Sequence, residues 1–511
     1  MKVVLIRPPK FMIEGSQPIP IIPPLGIALI AGSLKAAGHQ VNVIDAIAEA
    51  PNQFNKNEPI PVYSNRVKKG YRLISMGLSF EEIASRIPLD VDVIGLSCMF
   101  SINWPLDRAL IKYLAGKFPL AKMIAGGESI TGMAETCLQQ APQLIACVMG
   151  EGEETSIELL SAFEKNLPLS NVPGIMCRLP DGTIYKTKPR QRIRKLDEVP
   201  FPDWSTMPIY NYQRHAVYPG ETPRITLGIM ATRGCPYECT FCTSPDMWGT
   251  RYFMRSPDNV IAEIEYMKNI YGATNFEFFD LTAIIQKRWI IEFAQKLVEK
   301  KLNITWKIPA GTRSEAIDEE VAYWLKKSGC FFITYAPESG SQRLLNIIKK
   351  KVSLDNILQS IKYSKKQGMI VYINMIMGLP DETHLDVWKT FLFLFKCKLN
   401  GVDEMPLAVF RPYPGSSLFD RLLKEGKIES SSDDYVIDSL FIIETITEHQ
   451  YYNDNISAFW YKIYMWLAYF FFYGLDYIKN PTSILRTIRN ISEKNYQNEL
   501  ERKLAYRYQS P

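Results

Sequence analysis

The sequence predicts an α/β protein: a doubly wound parallel sheet, a partial (βα)6 barrel and a helical C-terminal extension, in that order. Three observations predict it. Short β-branched runs ending in Gly, Ser or Asp alternate with helical periods over residues 1–165. A second strand–helix series runs over 222–425, and residues 426–511 lose that rhythm. The length of 511 residues agrees, since roughly 150 residues per domain suggests about three.

In the first series the strands read KVVLI, VNVID, VDVIGLSCMF, AKMIAGGES and IACVMGEGE, with the helical LGIALIAGSLKAAG after the first. Sheets of this kind take ligands beyond the carboxyl ends of their strands. Those ends carry Arg7-Pro8-Pro9, Asp45, Ser97-Cys98-Met99, Gly126-Gly127-Glu128 and Gly150-Glu151-Gly152-Glu153. No G-x-G-x-x-G follows the first strand, which argues against a dinucleotide. Residues 166–221 read as a linker with a hairpin at Asp181-Gly182, a basic run and the Pro-rich VPFPDW.

The second series contains ITLGIMAT, NFEFFDL, ITWKIPAGT, FFITYAPES, VYINMIMGLP and EMPLAVFRPYPG. Six repeats are too few for a closed eightfold barrel, so an open one is expected. In the C-terminal extension, residues 459–475 form the most apolar window. Lys462 interrupts it and leaves 13 uncharged residues, short of the ~20 that cross a bilayer. Two readings stay open: a helix packed on the barrel as a lid, or one lying at a membrane surface with Trp460 and Trp466 as anchors.

Composition narrows the function. Apolar residues make up 47% and charged residues 22%, as in globular proteins with a real core. The net charge of +5 is interspersed, with no basic stripe, and excludes a dedicated nucleic-acid binder. The start, MKVVLIRPPKFMI, has too short an apolar run for a signal peptide, so the expectation is cytoplasmic, with peripheral membrane contact left open. There, cysteines serve more often as ligands than as disulfides. Cysteines 98, 137, 147, 177, 330 and 397 are scattered, as buried apolar thiols are.

The exception is ATRGCPYECTFCTSP, which crowds Cys235, Cys239 and Cys242 into eight positions after a strand. Structural zinc needs a fourth ligand, and the nearest histidine, His215, is twenty residues upstream. A [4Fe–4S] cluster usually takes four thiolates. Three would leave one iron open to a substrate or cofactor.

Cys-x3-Cys-x2-Cys at the end of the first strand of a six-fold βα barrel resembles the radical S-adenosylmethionine (SAM) superfamily. The resemblance implies that the open iron binds SAM. It places Phe241 against the adenine and Asp280 among polar contacts near SAM, with Thr312 and Arg313 closing the third strand. Glu338 and Ser339 of PESGS are suited to the ribose or amino group. NMIMGLPDET, with Met377, resembles the fifth-strand motif whose apolar residues pack on adenine.

The preceding sheet has the layout of a Rossmann-like cobalamin-binding domain, and the domain order resembles the cobalamin-dependent radical SAM enzymes. Ser97-x-Met99 and Gly126-Gly127 are similar to the Ser-x-Leu and Gly-Gly signatures of cobalamin domains. The resemblance makes Pro24, Asp45, Ser97, Cys98, Met99, Gly126, Gly127, Glu128, Gly150 and Glu151 candidate cobalamin-binding residues. The Asp-x-His-x-x-Gly of many cobalamin domains is absent, and none of His39, His215, His384 and His449 is suitably placed. The lower face of cobalt is therefore expected to lack a His ligand. SCMF, including Cys98, is the loop expected to face it.

The function so implied is methylation of an unactivated carbon of a small molecule. SAM cleavage supplies a 5′-deoxyadenosyl radical, cobalamin methylated by a second SAM delivers the methyl group, and an external reductant such as flavodoxin or ferredoxin supplies the electron. An oxidative cyclase or ring-rearranging enzyme shares this layout. A radical SAM enzyme that has lost cobalamin is the other alternative. The substrate itself is not legible, although the aromatic tail suits a hydrophobic one.

Overall fold

Alternate residues of the first strand, Lys2–Arg7, face opposite ways. Val3 and Leu5 join one core, and Val4 and Ile6 another, so both faces of the first sheet are buried. The chain was analysed as a computed structural model, which describes residues 1–14, 21–56, 58, 73–212, 224–429, 451–479, 481–493, 498, 500, 501 and 504.

From one edge, the first sheet runs Gln40–Asp45, Lys2–Arg7, Val93–Ser97, Lys122–Gly126 and Leu144–Val148, all parallel. This is the flavodoxin-like order of a doubly wound sheet. The chain leaves Lys2–Arg7 on one side and returns on the other, so the switch point lies between Arg7 and Ser97. The hairpin signal at Asp181-Gly182 is realised as Ile175–Arg178 and Ile184–Lys186, which extend this sheet antiparallel beyond Leu144–Val148. A small antiparallel sheet of Lys10–Ile13, Leu73–Met76 and Phe54–Asn55 stands beside it.

The second sheet is a six-stranded parallel series in chain order: Thr226–Ile229, Asn275–Phe278, Thr305–Thr312, Cys330–Glu338, Ile370–Met377 and Leu407–Val409. The first and last strands do not pair, which gives the open barrel expected. Helices such as Pro257–Tyr271, capped by the Ser256 hydroxyl and ended by left-handed Gly272, return the chain between strands.

Ala458–Lys479 forms one helix that packs on the barrel helix His384–Leu399, with Phe471 stacked on Phe391 at 5.2 Å. The Tyr464 hydroxyl lies 2.6 Å from Nδ1 of His384, and Tyr461 donates to Glu382. Among the described residues, no helix is long and apolar enough to cross a membrane.

Candidate functional site

The carboxyl ends of the two sheets enclose a cavity of about 1770 Å3. That exceeds the roughly 300–1,000 Å3 of a pocket for one drug-sized ligand. Of the residues expected at a cobalamin site, Pro24, Ser97, Met99, Gly126, Gly127, Glu128, Gly150 and Glu151 line it. Thr232, Arg233, Gly234, Met247 and Trp248, from either side of the cysteine-bearing loop, face them, and Phe459, Trp466 and Phe470 close a third side.

Asp45 and Cys98 do not line the cavity. Asp45 is fully buried and accepts from the backbone of Ile47 and Ala48, from Tyr212 at 2.6 Å, and from Arg7 at 3.0 Å. Its carboxylate caps the helix after its strand and orients Arg7. Cys98 packs in the second core, where burial and then nearby Asp107 push its thiol well above the ordinary range. A thiol so held is not presented as a metal ligand. Met99 and Phe100, by contrast, are exposed to the cavity.

The glycines have distinguishable reasons. Gly127 has φ +113°, and a Cβ there would stand 2.5 Å from the Cys98 carbonyl oxygen. Its need for glycine comes from the contact between two strand-end turns. A Cβ on Gly126 would meet only Val148, at an ordinary 3.6 Å. None of the described residues lining the cavity is His; His39 and His384 lie elsewhere, and His215 and His449 fall outside the described residues.

Cys235, Cys239 and Cys242 are half-buried on the loop after Thr232–Arg233. Gly234, at φ +91°, starts the turn, and a Cβ there would overlap the Arg251 carbonyl at 2.1 Å. The loop is tied to residues 348–351. Thr240 N–H donates to Ile348 O at 3.0 Å, and the Cys239 thiol lies 3.7 Å from Lys349 O. Ser244 N–H donates to Cys242 Sγ at 3.5 Å. Burial pushes the Cys239 thiol up to about 11, with Lys350 pulling it back, so iron binding must displace its proton. Among the described residues no three side chains converge on a single metal ion. An iron–sulfur cube suits this set, because each cysteine takes a different iron and the thiolates stay apart.

The residues expected around SAM gather at the same barrel end. Lys350 forms an ion pair with Glu338 at 2.7 Å and lies 5.8 Å from the Phe241 ring centre. Arg313 stacks on Tyr237 at 3.7 Å and donates to the Lys350 carbonyl at 3.0 Å. Buried Thr312 Oγ1 and Ser314 Oγ beside it have no hydrogen-bond partner, as suits strand-end hydroxyls awaiting a polar ligand. Asp280 is used from within: it accepts from Ala231 N–H at 3.2 Å and from the Thr232 hydroxyl. Burial pushes its pKa up to about 6. Asp280 thus shapes the approach to the cysteine loop. Ser339 bonds Thr390 and the Ser341 N–H, and Met377 is wholly buried in the core.

Sequence reasoning missed the links between domains. Arg233, two residues before Cys235, pairs with Glu151 at 3.1 Å and Glu153 at 2.5 Å, all three buried. Glu151 also binds Arg192 at 2.7 Å, and Thr243 donates to Glu128. The acidic turn GEGEET and the arginine before Gly234-Cys235 were the only sequence signals.

Comparison with known proteins agrees with this geometry. The Radical SAM superfamily model matches residues 229–394, and the B12 binding domain model matches 20–160. An uncharacterised methyltransferase of Pyrococcus horikoshii is 28% identical over 422 residues, 82% of this chain and 83% of the relative. An anaerobic magnesium-protoporphyrin IX monomethyl ester cyclase of Rubrivivax gelatinosus is 25% identical, over 83% of this chain and 70% of its own. The radical SAM methyltransferase TsrM of Kitasatospora setae, solved with tryptophan and a SAM analogue, shares the fold. Its TM-score is 0.60 at 15% identity, over 82% of this chain and 75% of that one.

The chain thus joins a B12 binding domain to a Radical SAM superfamily domain and is similar over most of its length to a methyltransferase relative. The two matched domains carry a [4Fe–4S] cluster, SAM and cobalamin as cofactors.

Proposed function

We propose that this chain methylates an unactivated carbon of a small-molecule substrate held in the interdomain cavity. The observation that carries the reading is the cavity itself: glycine-edged strand ends form one wall, and Thr232 to Gly234 with Met247 and Trp248, which flank the three cysteines in the chain, line the other. When bound, the cluster, SAM and cobalamin supply one-electron SAM cleavage and a transferable methyl group.

The chain's own residues do the rest by positioning. Cys235, Cys239 and Cys242 hold three irons, and Asp280 and the 348–351 segment fix the height of their loop. Phe241, Glu338 with Lys350, and Arg313 with its unpartnered Thr312 neighbour form the polar and aromatic surround for SAM. The Gly126-Gly127 and Gly150 turns and the Ser97–Met99 loop seat cobalamin. Phe459, Trp466 and Phe470 shield the space from water. An external one-electron donor of the flavodoxin or ferredoxin class is required.

The test is anaerobic reconstitution. The full chain should hold one four-iron cluster and one corrinoid. Cys239→Ala should lose the cluster and all 5′-deoxyadenosine formation while keeping the corrinoid spectrum. Corrinoid-free protein after growth with cobalamin would sink the methylase reading. The cyclase relative supports ring formation as the second reading; label passing from methyl-SAM into product separates the two.

The C-terminal extension supports peripheral contact with an anionic lipid surface. Thr482–Ser492 is turned inside out: Ser483, Thr487 and Asn490 are buried, the last two bonded to Glu501 at 3.3 and 2.9 Å. Ile484, Leu485 and Ile488 are exposed beside the exposed Arg486 and Arg489. An apolar face rimmed by cations fits a headgroup boundary. The protein should float with phosphatidylserine vesicles and the double variant I484N/L485N should not. Equal flotation of both, or of neither, removes this contact.

A further inference from the structure

Away from the cysteine loop, the cavity holds a second chemical feature. Lys10 starts the short strand Lys10–Ile13 just past the Arg7-Pro8-Pro9 turn, and it lines the cavity. Arg7 lines it from the end of the first strand, and Arg411 from the opposite side, just beyond the last barrel strand. Arg7 has its counter-charge in Asp45. Among the described residues no carboxylate pairs with the Lys10 ammonium, which lies 5.9 Å from the Phe100 ring centre.

Burial, then Arg7, then Arg411 push Lys10 down to about 8. An ammonium removed from water and crowded by two guanidinium groups is a place that an anion relieves. The acidic groups sharing the cavity do not reach it. Glu128 takes the Thr243 hydroxyl, and Glu151 and Glu153 take Arg233. Burial keeps Asp107 protonated, raising it to about 8, and the Asn103 amide donates to it. Phe100 lies beside Lys10, and the same cavity is lined by Met99 on the sheet side and by Phe459, Lys462 and Phe470 on the C-terminal helix.

We propose that Lys10, flanked by Arg7 and Arg411, seats the anionic head, carboxylate or phosphate, of a substrate whose apolar body lies along Phe100 and the C-terminal helix. This rests on the methylase reading and names its substrate class. Cobalamin carries a phosphodiester of its own, and position favours the substrate. Lys10 follows the first strand, two places across the sheet from Gly126-Gly127, or roughly 10 Å. One of the three cations also comes from the barrel, so the seat spans the cleft between the domains.

Calorimetry on the anaerobically reconstituted full chain tests the seat without turnover, so its failure leaves the family reading standing. Decyl phosphate is the probe and decanol the neutral comparison. The wild type should prefer the phosphate. Lys10→Gln should weaken phosphate binding at least about tenfold, the scale of one charge-assisted hydrogen bond, and leave decanol unchanged. Lys10→Arg should keep most of the affinity. Indistinguishable affinities of the wild type for the two probes, including none for either, overturn the proposal. So does an unchanged phosphate affinity in Lys10→Gln. A loss in that variant confined to hydroxocobalamin, absent with cobinamide, overturns it by assigning the cation to the cofactor's tail.

Discussion

The two walls of the cavity are built on opposite principles. Apart from Arg7 and Lys10, the sheet wall presents mostly bare backbone and apolar side chains, and its carboxylates turn away to bind the barrel: Glu128 to Thr243, and Glu151 and Glu153 to Arg233. The barrel end behind the opposite wall is polar and partly unsatisfied, with Thr312 and Ser314 hydroxyls lacking partners and the Glu338–Lys350 pair beside the cysteine loop. A broad, largely neutral cofactor needs room and close backbone approach. A cluster and a charged sulfonium need fixed ligands and dipoles. The difference shows where rigidity is spent: on the barrel side, and on the buried ion pairs that fix the sheet's distance from it.

Arg233 is where the comparison breaks most easily. It is 6% exposed and ties two glutamates of the sheet domain to the strand that leads into Gly234 and the cysteine loop. Arg233→Met leaves Glu151 with Arg192 and the Ile193 N–H at 2.9 Å, but strips Glu153 of its ion-pair partner. Removing one member of such a buried group costs about 3–5 kcal/mol. The variant should show a lower denaturation midpoint, faster proteolysis between the domains and reduced iron loading, because the cysteine loop starts two residues on. An unfolding free energy within about 1 kcal/mol of wild type would mean the domains are held by apolar contact instead.

What was legible in the sequence follows from how far each interaction reaches along the chain. The cysteine triplet, the six barrel strands and the Asp181-Gly182 hairpin are local patterns, and each appears at its expected place. The cavity-lining glycines were legible as strand ends, but the reason for Gly127, a carbonyl of Cys98, was not. Asp45 and Cys98 looked like cofactor contacts because they end strands. Whether a strand-end side chain turns inward or outward is decided by tertiary neighbours, here Tyr212 and Asp107. The Arg233 and Thr243 bridges join residues 80 to 115 positions apart, and no periodicity signals them. Lys10 carries no sequence signal of its own, because Arg411, which bears on it, comes from the other domain.

Asp107 sharpens the contrast from the sheet side, with the smallest expected effect. It is 1% exposed, bonded by the Asn103 amide and adjacent to Cys98, and burial raises it from an ordinary 3.8 to about 8. A carboxylic acid raised in the folded state binds a proton there that the unfolded chain releases. Folding stability should therefore fall as pH climbs from about 4 through 8, by at most ~1.4 kcal/mol per pH unit for this one group. Asp107→Asn keeps the shape and the Asn103 acceptor but cannot ionise. Between about pH 6 and 7 the variant should lose less stability than the wild type, and below about pH 4 the two should converge. Parallel stability curves across that range would show that water entering the cavity solvates this carboxylate, and that the sheet wall is wetter than its apolar lining implies.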